Sequence, residues 1–116
     1  MLSRRTLLGM PLVAAAASSP TRFTYSGMTL PWSGFSFERA LKGVRTAGFS
    51  EVAWGVNHMG KPLLDLAAPT AEAKLLASRC TDLGLKPVMM FSTVNLEAAN
   101  AIDAHKRRID HAAAAG

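Results

Sequence analysis

From Arg22 onward the apolar positions switch between two spacings. Phe23, Thr24 and Tyr25 favour extended backbone and predict a strand over residues 22–30. Pro31-Trp32-Ser33-Gly34 reads as a loop. Ser36 then offers a helix cap, with Glu38 in the first turn, where the helix dipole favours negative charge. Phe37, Ala40, Leu41 and Val44 follow at i, i+3, i+4 and i+7, one apolar stripe that Gly48 can terminate. A second strand is expected over residues 51–56, and residues 57–69, with Gly60, Pro62 and Pro69, read as loop. Thr70 is the next capping candidate, Glu72 sits close behind, and Leu76, Cys80 and Leu83 keep helical spacing to Gly84. Pro87-Val88-Met89-Met90-Phe91 is nearly all apolar, which fits a strand buried on both faces with Met89 and Met90 in the core. A third helix is expected over residues 96–115. Ile102, Ile109 and Ala113 mark its inner side, with His105 packed between the two isoleucines. Asp103, Lys106, Arg107 and Asp110 mark its outer side, and His111 is expected at the surface.

These elements repeat. Ala47-Gly48-Phe49-Ser50-Glu51-Val52 and Leu83-Gly84-Leu85-Lys86-Pro87-Val88 share one grammar: a helix end, a glycine, one buried apolar residue, two spacers, then a strand. Ala115-Gly116 opens the same phrase again. Strand–helix units of this size build parallel sheets through right-handed crossovers. Eight units of ~34 residues make a closed barrel of ~250 residues or slightly more. The expected fold is therefore α/β, the N-terminal three βα units of an incomplete (β/α)8 TIM barrel over residues 21–116, with parallel strands. A small complete three-layer α/β domain is the alternative, and it would leave an unpaired strand edge on an apolar sheet. An open sheet of this kind is expected to aggregate or to stay partly unfolded when residues 21–116 are expressed alone.

The N-terminus reads as an address. A short basic zone holds Arg4 and Arg5, an apolar zone runs from Leu7 into four alanines, and small residues precede Pro20. That order is that of a secretory signal over residues 1–20. Ser3-Arg4-Arg5 resembles a twin-arginine signal, with Leu7-Leu8 in place of Phe-Leu and Gly9 in place of Lys; an ordinary Sec signal stays open. Either route implies an export translocase as partner and a periplasmic or extracellular location. With 49% hydrophobic and 18% charged residues the chain is neither disordered nor coiled coil. The formal charge is +5, but Arg4 and Arg5 lie in the signal, so the remainder is only mildly basic. The cluster Lys106-Arg107-Arg108 reads as a solvated helix face ahead of a phosphate-binding patch, and no nucleic-acid partner is expected. Cys80 is the single cysteine, so no intrachain disulfide can form, and its helical position suits a small core residue.

Ser36-Phe37-Glu38-Arg39-Ala40-Leu41 followed by Ala47-Gly48-Phe49-Ser50-Glu51-Val52-Ala53-Trp54 resembles the opening of the sugar phosphate isomerase/epimerase family, the xylose isomerase-like TIM barrels. Leu83-Gly84-Leu85-Lys86-Pro87-Val88 is similar to that family's third strand, and the end of the chain from Arg108 to its third helix. Ala53 stands where the family's second strand commonly carries glutamate. The resemblance implies isomerisation or epimerisation of a small carbohydrate or polyol, with a divalent metal polarising the substrate and a carboxylate moving a proton.

In such barrels the metal ligands come from later strands. The carboxylates present here stand elsewhere: Glu38, Glu72 and Glu97 at helix starts, Glu51 at the wrong end of its strand, Asp82, Asp103 and Asp110 on helices, Asp65 in a loop. No metal ligand and no catalytic residue is expected within this chain, which would be inactive alone. The segment would instead supply pocket wall from its strand ends: Trp32 after the first, Asn57 and His58 after the second, Ser92, Thr93 and Asn95 after the third. Trp32, His58 and Asn57 are the substrate-binding candidates. His58 matches a histidine that assists ring opening in xylose isomerase, although Lys61 replaces the aspartate three residues on. A non-catalytic sugar-binding or interaction module is the alternative. An endonuclease-type barrel would need phosphate-gripping residues at the rim, where only Lys61 qualifies.

Overall fold

A computed structural model describes residues 19–116, so the signal expected over residues 1–20 lies almost wholly outside the described residues. Helix α1 (Phe37–Thr46) begins where Ser36 Oγ accepts the Arg39 N–H at 3.3 Å, and its stripe of Phe37, Ala40, Leu41 and Val44 is buried. Gly48 ends it at φ +97°, a left-handed conformation that suits glycine, and Phe49 N–H turns back to Val44 O. Strand β1 (Ser26–Met28) precedes α1, and β2 (Glu51–Trp54) follows it.

Residues 57–69, expected as loop, contain a small antiparallel hairpin of β3 (Asn57–His58) and β4 (Lys61–Pro62). Its turn residues Met59 and Gly60 both have positive φ, as the tightest hairpins require. Helix α2 (Thr70–Asp82) is capped by Pro69 in extended conformation, without a side-chain bond. Thr70 is thus the first helical residue and not the cap. The fixed φ of Pro69 and its missing N–H suit it to the position just before the helix.

Strand β5 (Lys86–Met90) joins β1 and β2 in one parallel sheet of order β1-β2-β5. Gly27 pairs with Val52 and Val52 with Pro87; Met28 pairs with Ala53 and Ala53 with Met89. Helix α3 (Ala101–Ala115) closes the described chain. The described residues are α/β, a three-stranded parallel sheet with three α-helices. Val52 and Trp54 share a core with Phe37, Leu41 and Val44 of α1 and with Ala73, Leu76, Ala77 and Cys80 of α2, while Ala114 and Ala115 of α3 pack against it. All three helices therefore cover the same face.

Two further expectations are corrected. Strand β5 is not buried on both faces, because among the described residues it is an edge strand without cover over Met89 on the face away from the helices; Val88 and Met89 are exposed, Met89 at 53%, while Met90 packs partly into the core. The register slips between Val52 and Ala53, so Val88 bulges as the extra residue on this edge.

Helix α3 is the second correction. It begins at Ala101, because Asn95 holds residues 95–98 in turns through its side chain and its carbonyl. It is also turned about its axis: Ala101, Ala104 and His111 are inside, while Ile102 and Ile109 are 72% and 66% exposed. His111, expected at the surface, is fully buried, and His105 only partly so. The cause is polar. Arg107 reaches the carbonyls of Leu66, Ala67 and Ala68, Arg108 that of Leu64, and His111 Nε2–H that of Ala68 at 2.8 Å. These donors serve a loop whose carbonyls have no ladder partner, and they fix which side of α3 faces the body.

Trp54 is the largest fully buried side chain. Its ring meets Phe37 edge-on at 6.0 Å and its indole N–H donates to Cys80 Sγ at 3.3 Å. Burial pushes the Cys80 thiol above its ordinary pKa, against the smaller opposing effect of that hydrogen bond. The folded state holds the thiol proton more tightly, so this contribution to stability is complete below the ordinary thiol pKa and is lost as pH rises through the raised one. Urea melts at pH 7 and pH 10 should show a drop at the higher pH, and Cys80→Ala should reduce it.

Gly27 gives a second expected outcome. A Cβ there would lie 2.6 Å from Val44 Cγ1 and 2.9 Å from Phe49 Cδ2, whereas a Cβ on Gly34 meets nothing within 4 Å. Gly27→Ala should cost about 1–3 kcal/mol by overpacking, measured by urea denaturation, and Gly34→Ala far less.

Candidate functional site

The C-terminal ends of the strands gather the polar groups of interest, the end at which open parallel sheets and barrels build their sites. Thr29 leaves β1 fully buried, and its N–H continues the ladder to Ala53 O. Its Oγ1 accepts the Gly55 N–H at 2.8 Å and stands 3.1 Å from His58 Nε2. His58 Nδ1 stands 3.1 Å from Phe35 O. A carbonyl only accepts, so Nδ1 carries the proton. Nε2 then accepts from the Thr29 hydroxyl, which in turn accepts from Gly55. The chain Gly55 to Thr29 to His58 to Phe35 is complete and leaves neither imidazole nitrogen free. His58 is buried, its ring 5.5 Å from that of Phe37.

This network ties the loop after β1 to the hairpin after β2, and Met59 N–H adds a bond to Ser33 O at 2.7 Å. Gly55 allows the approach, since a Cβ there would fall 3.0 Å from Leu30 N. The structure thus brings the loop of Trp32 and the hairpin of Asn57 and His58 to one rim. Trp32 is half-buried over α1, where a Cβ on Gly43 would lie 2.9 Å from its ring. Phe35 is partly exposed with the Arg39 guanidinium 4.2 Å over its ring, and Asn57 is exposed.

After β5, Ser92 Oγ meets His105 Nδ1 at 3.1 Å, and His105 Nε2 is buried without a partner among the described residues. Thr93 is exposed and Asn95 is engaged in its own turn. The Lys106-Arg107-Arg108 cluster is not a solvated face throughout, since two of its three side chains bind the loop carbonyls. Burial lowers the Arg108 pKa below its ordinary value, and nearby Asp65 opposes the shift.

The residues that sequence reasoning missed are Thr29 and Gly55, which complete the bonding of His58. A threonine directly after a strand and a glycine directly after the next are the only traces they leave in the sequence.

Among the described residues no three His, Cys, Asp or Glu side chains gather as a metal site. Glu38 is paired with Arg79 at 2.9 Å and Asp65 Oδ1 accepts the Ala67 N–H. The divalent metal that the family resemblance implies therefore has no fitting donor set on these residues. No helix among them is long and apolar enough to cross a membrane. Neither a family model, nor a curated protein, nor a solved structure matches the chain.

Removing the Thr29 hydroxyl leaves the Gly55 N–H and His58 Nε2 unpaired in a buried place. Thr29→Val should destabilise by about 1–3 kcal/mol in urea melts, and Thr29→Ser by much less. The loss should shrink when His58 is already replaced by Phe, because one of the two groups left unpaired is then gone.

Proposed function

We propose that this chain is the N-terminal part of an exported sugar or sugar phosphate isomerase/epimerase, three βα units of a xylose isomerase-like barrel. One observation carries the reading. The parallel strands stand in sequential order with every helix on one face, which is how a barrel wall is wound, whereas a doubly wound sheet reverses direction and places helices on both faces. The motifs around Ser36–Trp54 and Leu83–Val88 support the sugar family within that architecture. In this reading the rim of Trp32, Asn57 and His58 contributes pocket wall for a small carbohydrate or polyol. The metal and the proton-moving carboxylate belong to strands that this chain does not include, so the chain alone has no turnover. The signal would carry the product to the periplasm or outside the cell.

A second reading, a non-catalytic sugar-binding or interaction module, draws on the same rim, where the partly exposed rings of Trp32 and Phe35 stand without a carboxylate cluster among the described residues.

The test joins this chain to the sequence its reading frame encodes after Gly116 and assays aldoses, ketoses and polyols with Mg2+ or Mn2+. Turnover abolished by a chelator supports the isomerase. Saturable quenching of Trp32 fluorescence by sugars without any turnover supports the second reading, and neither signal overturns both.

A further inference from the structure

We propose that the free edge of β5 in one copy takes up the free edge of β1 in a second copy, extending the sheet head to tail. The inference concerns this 116-residue chain by itself, whose described sheet has both edges open; it does not rest on the sugar reading, under which further strands would pair those edges within one molecule.

Among the described residues β1 and β5 each pair on one side only, so the sheet has two unlike open edges. All strands run the same way, and β5 beside a second copy's β1 continues the parallel ladder without reversing direction. A two-fold β5–β5 contact would instead be antiparallel. It would also meet a defect twice. Lys86 N–H points inward to Ser50 O, so the next residue, Pro87, faces outward and has no N–H to give. A head-to-tail contact meets that defect once.

The edges also match in chemistry. Residues 22–25 have strand composition, yet β1 forms only over Ser26–Met28, and Phe23 and Tyr25 are each 73% exposed. In extended backbone Phe23, Tyr25 and Gly27 share one face, and Gly27 faces Val44 on the helix side. A neighbouring copy would therefore present both rings on the helix side of its sheet. There β5 offers a groove of about 380 Å³, formed with the last turn of α3 and lined on the helix side by Trp54, Pro87, Met90, Ala112 and Ala115, with Lys86, Val88 and Met89 along its open edge. The small alanines of α3 leave room for an aromatic ring. The partner's edge would supply the bonds that residues 22–25 lack, and the rings would fill the groove, as in strand addition.

Such a contact is heterologous, so it grows into open chains rather than stopping at a dimer. The test measures mass by sedimentation velocity on the full chain and on two variants that each block one edge. Phe23→Ser/Tyr25→Ser removes the rings from the β1 edge, and Val88→Lys places a charge on the β5 edge. Far-UV circular dichroism establishes that each variant keeps the wild-type helix content, and a variant that loses it is replaced by Tyr25→Ser or Met89→Lys at the same edge. The wild type should gain mass with concentration past the dimer, each variant alone should stay monomeric, and their equimolar mixture should reach about twice the monomer mass and stop. A monomeric wild type, a variant that dimerises alone, or a mixture that stays monomeric would overturn the proposal.

Discussion

Parallel strands cannot be joined by a tight turn, and this constraint organises the molecule. Each return to the start of the sheet takes a helix, and every helix lands on the same face. Among the described residues β2 is the only strand of the sheet paired on both sides, and its Val52 and Trp54 bear the weight of both crossovers. Trp54 can be buried among the helices because Phe37 meets its ring edge-on and Cys80 accepts its N–H. The lone cysteine is thus a hydrogen-bond partner for the buried indole of Trp54, a role for which its softness and small size suit it.

Much of this was legible because it is local. The Ser36 cap and the stripe from Phe37 to Val44 are periodic signals within one helix. Gly48 and Gly84 mark helix ends, and both adopt the positive φ that their position after a helix suggests. What failed depends on neighbours. A run such as Pro87–Phe91 states that a strand is apolar and is silent on whether anything covers it. Ile102 and Ile109 give α3 an apolar stripe, but the packed side is decided by Arg107, Arg108 and His111 reaching carbonyls some forty positions back. Three donors to a loop that would otherwise leave buried carbonyls unpaired outweigh two exposed isoleucines, since an unmade buried hydrogen bond costs more than surface apolar area.

The rim shows the same division. That Trp32, Asn57 and His58 follow strand ends could be read by counting elements. That His58 is consumed by Thr29 and Phe35 could not, because its partners lie 29 and 23 positions away. A buried histidine with both nitrogens engaged is a strut that holds two loops at a fixed separation. Any ligand at this end of the sheet would meet a preshaped wall, with the exposed groups of Asn57 and the edges of Trp32 and Phe35 as its contact points.

The two faces of the sheet are unequal, and the inequality bears on chemistry. The helix face is covered except along the groove between β5 and the last turn of α3. The other face carries Met28, Ala53 and Met89 in register across all three strands, and Met89 is exposed. In a closed barrel that face would turn inward, and its middle layer would be two thioethers flanking a methyl group. Under the sugar reading, Ala53 stands where the family commonly places glutamate, so this sector would lend the interior volume and dryness but no charge. A low-dielectric wall strengthens the field of charges placed opposite it. An acid or a metal seated on other strands would therefore act across a cavity in which these residues screen nothing.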